Sequence, residues 1–243
     1  MKILALDSSG MVASVALLTE EQLIGEYTIN YKKTHSQTLL PMLNEVKQMT
    51  ELDLAEIDAI AVAAGPGSFT GLRIGSATAK GLGLALNKPL ISVPTLEGLA
   101  YQFWGSKDWI CPIMDARRNQ VYTGVYRFVE TEEQGEVSFS METLMPQSSM
   151  DVQELINWLN EHVEGKVVFL GDGVPVYHKQ IADGLHKPYS LAPAHRNRQS
   201  AAALGMLAVE YFKQGKVETA AEHEPDYLRV SQAERERMER EGK

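Results

Sequence analysis

A single cysteine, Cys111, stands among the 243 residues, so no internal disulfide can form, and a reducing compartment, the cytoplasm, is expected. It sits in the apolar stretch Trp109 to Met114, where a thiol behaves as a small inert hydrophobe rather than a nucleophile. Positive charge is also scarce: 23 Lys and Arg against 32 Asp and Glu leave a net charge of −9. Nucleic-acid binding rests on clustered Lys and Arg, so the chain is not expected to grip RNA by itself. No apolar run reaches the roughly 18 residues of a membrane span. Met1-Lys2 leads directly into a strand pattern, so neither a span nor a secretion signal is expected.

Several chemical signatures are missing too. A helical metal site needs two histidines one turn apart, yet one turn after His35 stands Leu39, and no other pair has that spacing. No metal site is expected. Gly71 is followed by Leu72-Arg73 instead of Lys-Ser/Thr, which excludes a P-loop. Gly65 and Gly67 begin a dinucleotide fingerprint, but its third glycine arrives one place late at Gly71, and no acidic ribose partner follows. Ser68 directly follows Gly67, so the Gly-x-Ser-x-Gly elbow of hydrolases is absent.

What the chain does have is a run of small residues around one turn. Ala59 to Ala64 is uninterrupted and apolar, the pattern of a strand buried on both faces. It empties into Gly65-Pro66-Gly67-Ser68 and a helix over about 70–86 carrying Gly71, Gly75, Gly81 and Gly83 beside Ala77, Ala79 and Ala85. Each interior glycine costs a helix about 0.5 to 1 kcal/mol relative to alanine. Something is therefore expected to lie very close to this helix: a phosphate, another part of the chain, or another protein. Pro66 removes one donor from any anion nest, and Ser68 or Thr70 is expected to cap the helix.

Along the chain, strands at 2–6, 12–18 and 22–30 form an antiparallel meander. A helix from Thr34 follows, with Leu39, Met42, Leu43 and Val46 at helical spacing. After the buried strand and the small-residue helix come a strand at 90–93 and a helix after Pro94. This order implies a mixed sheet flanked by helices. The second half opens on an apolar strand, 109–115, ending in Asp115, then a strand at 121–126. Beside Ile3–Asp7 and 12–18, this reads as one strand-Asp-turn-strand unit used twice. Residues 128–142 are acidic and read as an exposed loop or edge hairpin. A helix at 152–162, a strand at 167–170 and an alanine-rich helix at 199–212 complete the half. The division is an N-terminal subdomain 1–101, a C-terminal subdomain 102–230 whose last helix packs back on the first, and a charged tail 231–243, a solvated helix or frayed end.

Asp7 and Asp115 close corresponding strands. Facing carboxylates of this kind hold hydrated magnesium and direct phosphoryl transfer; aspartate is equally a good turn former through Asx bonding. Arg117 and Arg118 could meet a phosphate or an acidic partner, or be solvated. His35, in the first turn of its helix, reads as a cap or polar contact.

With these residues assembled, the chain resembles the TsaB (YeaZ) family of the actin, Hsp70 and sugar-kinase superfamily. The resemblance rests on Ile3 to Ser8, Thr34-His35-Ser36, the run Gly65 to Gly75, Asp115-Ala116-Arg117-Arg118 and Asp226-Tyr227-Leu228-Arg229, which together span nearly the whole chain. It implies an α/β, duplicated actin-like fold of two subdomains, each a mixed sheet flanked by helices. It also implies a subunit of the machinery that builds threonylcarbamoyladenosine beside the anticodon of ANN-reading transfer RNAs. The catalytic paralogue, TsaD, holds its metal with two histidines on the helix corresponding to 34–49; Leu39 here replaces the second. The implied role is non-catalytic: heterodimerisation with TsaD, an ATPase, TsaE, joining the assembly, and tRNA reached only through the complex. The chain alone is expected to homodimerise. No cofactor is expected to bind tightly, with ATP and magnesium only at the joint with the partner. The partner surface is expected from His35, Leu39, Met42, Leu43 and Val46 on one helix, and Gly71, Arg73, Ile74, Gly75, Thr78, Ala79 and Leu82 on the other. Gly75→Leu or Ala79→Trp would then block pairing and leave the monomer folded. Asp7, Ser8, Asp115, Arg117 and Arg118 would be vestiges of a nucleotide or phosphate site. The alternative is an autonomous ATP-dependent small-molecule kinase, for which Gly171-Asp172-Gly173 is the nearest candidate adenosine turn.

Overall fold

A computed structural model of the chain describes residues 1–133 and 136–229; the charged tail expected at 231–243 lies outside the described residues. Two five-stranded mixed sheets carry it. The first runs β3-β2-β1-β4-β5, from β1 (Lys2–Asp7), β2 (Ala13–Thr19), β3 (Leu23–Ile29), β4 (Ala59–Gly65) and β5 (Leu90–Pro94). The second runs β8-β7-β6-β9-β10, from β6 (Trp109–Asp115), β7 (Gln120–Glu133), β8 (Glu136–Asp151), β9 (Val167–Leu170) and β10 (Tyr189–Leu191). The two orders correspond strand for strand. In each, the leading strand pairs antiparallel with its hairpin partner and parallel with the strand that returns after a helix. Asp7 and Asp115 end equivalent strands, so the fold is duplicated.

Period-two alternation splits each sheet between two helical layers. Leu4, Leu6, Val15 and Leu17 point to the face covered by α1 (His35–Met49) and α2 (Phe69–Leu86). Ile3, Ala5, Ala16 and Leu18 point to the opposite face, onto Leu204, Leu207 and Ala208 of α6 (Ala201–Lys213). In the second sheet, α4 (Val152–His162) and α5 (Val174–Gly184) bury Leu155, Leu159 and Ile181 against Ile113, Val121 and Phe169. The other face receives Leu96, Leu99 and Ala100 of α3 (Thr95–Tyr101). α3 also touches α6, so the two helices form a layer between the sheets. Each half of the chain thus lends a helix to the other lobe.

Local chemistry sets the helix starts. Ser68 Oγ accepts from Gly71 N–H at 3.3 Å, Asp151 Oδ1 from Gln153 N–H at 2.8 Å, and Ser200 Oγ from Ala203 N–H at 3.3 Å. Thr34 makes no such bond; His35 Nε2–H instead donates to Gly10 O at 2.8 Å, pinning α1 to the β1–β2 turn. Residues 128–133 and 136–142 of the acidic stretch belong to a long hairpin, since β7 and β8 stay paired out to Glu133 and Glu136.

Candidate functional site

The neighbour that the small-residue helix accommodates is the chain's own β1–β2 turn. A Cβ on Gly71 would overlap the Ser8 carbonyl oxygen, one on Gly67 would overlap the Ser9 carbonyl oxygen, and one on Gly75 would stand 2.6 Å from Ser8 Oγ. The contact is also bonded. Ser8 Oγ–H donates to Gly71 O at 2.9 Å, and Ser68 N–H donates to Ser9 O at 2.6 Å. The turn that a phosphate would have to approach is therefore packed against α2.

This corrects the expected partner surface. Leu39, Met42, Leu43 and Val46 are buried in the first lobe's own core, together with Ala79. Gly71 and Gly75 face Ser8. None of these seven can be offered to a partner while the lobe stays folded. The physical reason is that the helices' apolar stripes are used up by the sheet beneath them. His35, Ile74, Thr78 and Leu82 are half-buried, and only Arg73 of the expected set is exposed, its guanidinium 4.0 Å above the Phe69 ring. What α2 does turn outward is Thr70, Ala77, Gly81, Leu84 and Ala85, with Leu84 70% exposed. Leu40, 55% exposed, and Pro41 do the same on neighbouring α1.

The two aspartates do not face each other as paired ligands. Asp7 is 3% exposed and turned into its own turn, where Oδ1 accepts Ser9 N–H at 2.9 Å and Ser9 Oγ–H at 2.6 Å. Burial lifts its carboxyl to about 6, against the opposing pull of the Ser9 bonds and of His35. Asp115 lines the cleft between the lobes, and Asp7 is not among that cleft's lining residues. Asp115 Oδ1 accepts Arg117 N–H and Tyr177 O–H, both at 2.9 Å, and Oδ2 pairs with Arg117 Nη1 at 3.2 Å. Arg117, Arg118 and Asn119 hold φ of 66°, 57° and 62°, three consecutive non-glycine residues in the left-handed region. Asn119 secures this turn by donating from Nδ2 to Asp151 Oδ2 and accepting from Gln180 Nε2, both at 2.9 Å.

The cleft has a volume of about 480 Å³ and lies beyond the carboxyl ends of β4, β6 and β9. Asp172 stands in it and accepts Asp115 N–H at 3.2 Å; burial pushes its carboxyl upward. Gly171-Asp172-Gly173 is pressed onto β6, since a Cβ on Gly173 would meet Ile113 O at 3.0 Å. Three contributors carried no signal in the sequence: Tyr177 on Asp115, Gln199 packed over Gly10, and Asn197, whose Oδ1 accepts Gly171 N–H at 2.8 Å. Asp226 to Arg229 form one wall, a position that nothing in their spacing announces. Among the described residues, no helix is long and apolar enough to cross a membrane.

Duplicated lobes that meet at a cleft beyond their strand ends define the actin-like, sugar-kinase class of fold. The inorganic polyphosphate/ATP-glucomannokinase of Arthrobacter shares it, with a TM-score of 0.50 over 88% of this chain and 99% of that one at 12% identity. YeaZ from Pseudomonas aeruginosa superposes with a TM-score of 0.70 at 28% identity, over 93% of this chain and 99% of that one. The TsaB protein of Bacillus subtilis is 33% identical over 96% of both chains, and that of Escherichia coli 30% over 94% of this chain and 95% of its own. The sequence model of TsaD, tRNA N6-adenosine threonylcarbamoyltransferase, matches residues 22–237. The chain belongs to the TsaB family of tRNA threonylcarbamoyladenosine biosynthesis proteins.

Proposed function

We propose that this chain is a non-catalytic subunit of a cytoplasmic tRNA threonylcarbamoyltransferase, acting by heterodimerising with a TsaD-type catalytic paralogue. One observation carries the reading. The Ser8 hydroxyl and the Asp7 carboxylate, the groups best placed at the β1 strand end to meet a phosphate or its metal, are hydrogen-bonded to Gly71 and Ser9 of the same chain. Leu39, buried in the core one turn after His35, supports it further, because no second imidazole is available there. An autonomous kinase would need the packed turn to open to phosphate.

The partner surface in this reading is the outer face of α1 and α2. Ala77 and Gly81 let a second backbone come near, with Leu40 and Leu84 as apolar anchors. Without its partner the same face pairs two copies of the chain. The TsaE-type ATPase joins the heterodimer, tRNA is reached only through the complex, and ATP with magnesium binds only at the joint.

Reconstitution tests this. Purified chain, catalytic paralogue and ATPase are combined with unmodified tRNA, ATP and an activated threonylcarbamoyl donor, and threonylcarbamoyladenosine is measured in nucleoside digests. Product should appear only when chain and paralogue are both present. Modification by the chain alone, or full activity without it, overturns the reading.

A further inference from the structure

The stretch Asp226-Tyr227-Leu228-Arg229 has no part in the reading above, yet the structure gives it a place. After α6 the chain stays on the molecule. Glu218 and Leu90 exchange backbone hydrogen bonds of 3.0 and 2.8 Å at the edge of β5. His223 Nδ1–H donates to Glu218 Oε1 at 2.7 Å, Ser92 donates to the same carboxylate, and Lys80 Nζ donates to His223 O at 2.8 Å. Anchored there, the segment crosses the cleft and touches both lobes.

On the first lobe, Asp226 N–H donates to Ala64 O at 2.7 Å, and the Tyr227 ring packs on Phe69 with 4.9 Å between centroids. Gly65 runs so close beneath the Asp226 carbonyl that a side chain there would overlap it. On the second lobe, Gln147 Nε2 donates to Asp226 Oδ2 at 3.0 Å, and Arg229 Nη1 donates to the Ala116 carbonyl at 2.6 Å. Apart from Gln147 on β8, these contacts lie at the carboxyl ends of β4 and β6, the place where open α/β sheets hold their ligands.

We propose that residues 226–229 are a built-in peptide ligand of the interlobe cleft, a strap that fixes the angle between the lobes. Two-lobed folds close by hinge motion about a ligand that both lobes contact. Here the strap makes those contacts in cis: one backbone bond and one tilted ring contact on the first lobe, and two side-chain bonds on the second. The inference is independent of the proposed subunit role, because it concerns lobe geometry in the isolated chain.

Pulsed electron–electron spin resonance on the full chain tests it, with labels at the exposed positions Lys47→Cys on α1 and Glu161→Cys on α4. The intact strap should give one narrow interlobe distance. Tyr227→Ala with Arg229→Ala should at least double the width of the distribution and extend it to longer distances. Tyr227→Phe, which keeps the ring on Phe69, should leave it narrow. Near-ultraviolet circular dichroism reports whether the lobes stay folded; if the double variant unfolds, Arg229→Ala alone carries the same test. A folded variant whose distribution superposes on that of the parent overturns the proposal.

Discussion

Ser8 and Gly71 are joined twice: the serine hydroxyl donates to the glycine carbonyl, and the serine carbonyl occupies the space a glycine side chain would need. This pair sets two glycines of α2 apart from a third, Gly81. Gly71 and Gly75 serve the chain's own turn, whereas Gly81 has nothing within 4 Å of its would-be Cβ. Gly71→Ala must push backbone from backbone and should destabilise the isolated chain by at least about 1 to 3 kcal/mol. Gly81→Ala meets open space and gains helix propensity, so it should stabilise by roughly 0.5 to 1 kcal/mol. Urea unfolding of the two variants, read side by side, checks both signs.

Pairing should respond to the outward face and not to the inward one. Leu84→Glu and Gly81→Trp should leave the melting temperature of the isolated chain within a few degrees, since exposed changes stay within about 0.5 kcal/mol, and abolish co-elution with the catalytic paralogue. Gly75→Leu and Ala79→Trp, by contrast, should unfold the chain itself, because Ala79 is fully buried and Gly75 abuts Ser8. Size-exclusion chromatography with and without the paralogue distinguishes the two behaviours.

Asp7 predicts a pH dependence of stability. Burial raises its carboxyl from the ordinary 3.8 to about 6, so the folded state holds that proton more tightly than the unfolded state does. Well below pH 3.8 the group is neutral in both states and costs nothing. As pH rises from 4 to beyond 6 the folded state loses up to about 3 kcal/mol relative to a neutral side chain. Asp7→Asn keeps an oxygen for Ser9 and carries no charge. Its melting temperature should match the parent's at about pH 3 and exceed it increasingly as pH rises through about 6.

Cys111 should be silent to thiol chemistry. Burial pushes its thiol up to about 12, and it is fully buried in the core that α4 and α5 close over the second sheet. A thiol-specific chromophore at pH 8 should label none of it in native buffer and one equivalent in concentrated urea. Rapid labelling of the native chain would show that the second sheet opens.

Much of the fold was legible because periodicity and turn chemistry agree. The apolar run before Gly65, the strand-Asp-turn unit repeated at Asp7 and Asp115, and the Ser68 cap all follow from local rules. Seven of the twelve residues expected at the partner surface are instead used inside the lobe, for a physical reason. Leu39, Met42, Leu43 and Val46 form a stripe that looks the same whether a sheet or another protein covers it, and only the register of β1 and β2 shows that the sheet does. The glycine-rich pattern of α2 likewise signals close approach without saying to what. Asp226 to Arg229 reach the cleft only through tertiary routing along β5, for which spacing holds no signal.

The exchange of α3 and α6 between lobes has a consequence for how the molecule can be divided. A fragment ending at residue 101 would carry the first sheet with Ile3, Ala5, Ala16 and Leu18 stripped of their cover. The remaining piece would in turn lack Leu96 and Leu99 over Ile110 and Tyr126. Neither gene half encodes a self-sufficient folding unit, although the architecture is visibly a doubled one. Cutting a duplicated protein at its seam would here leave two sticky, incomplete pieces.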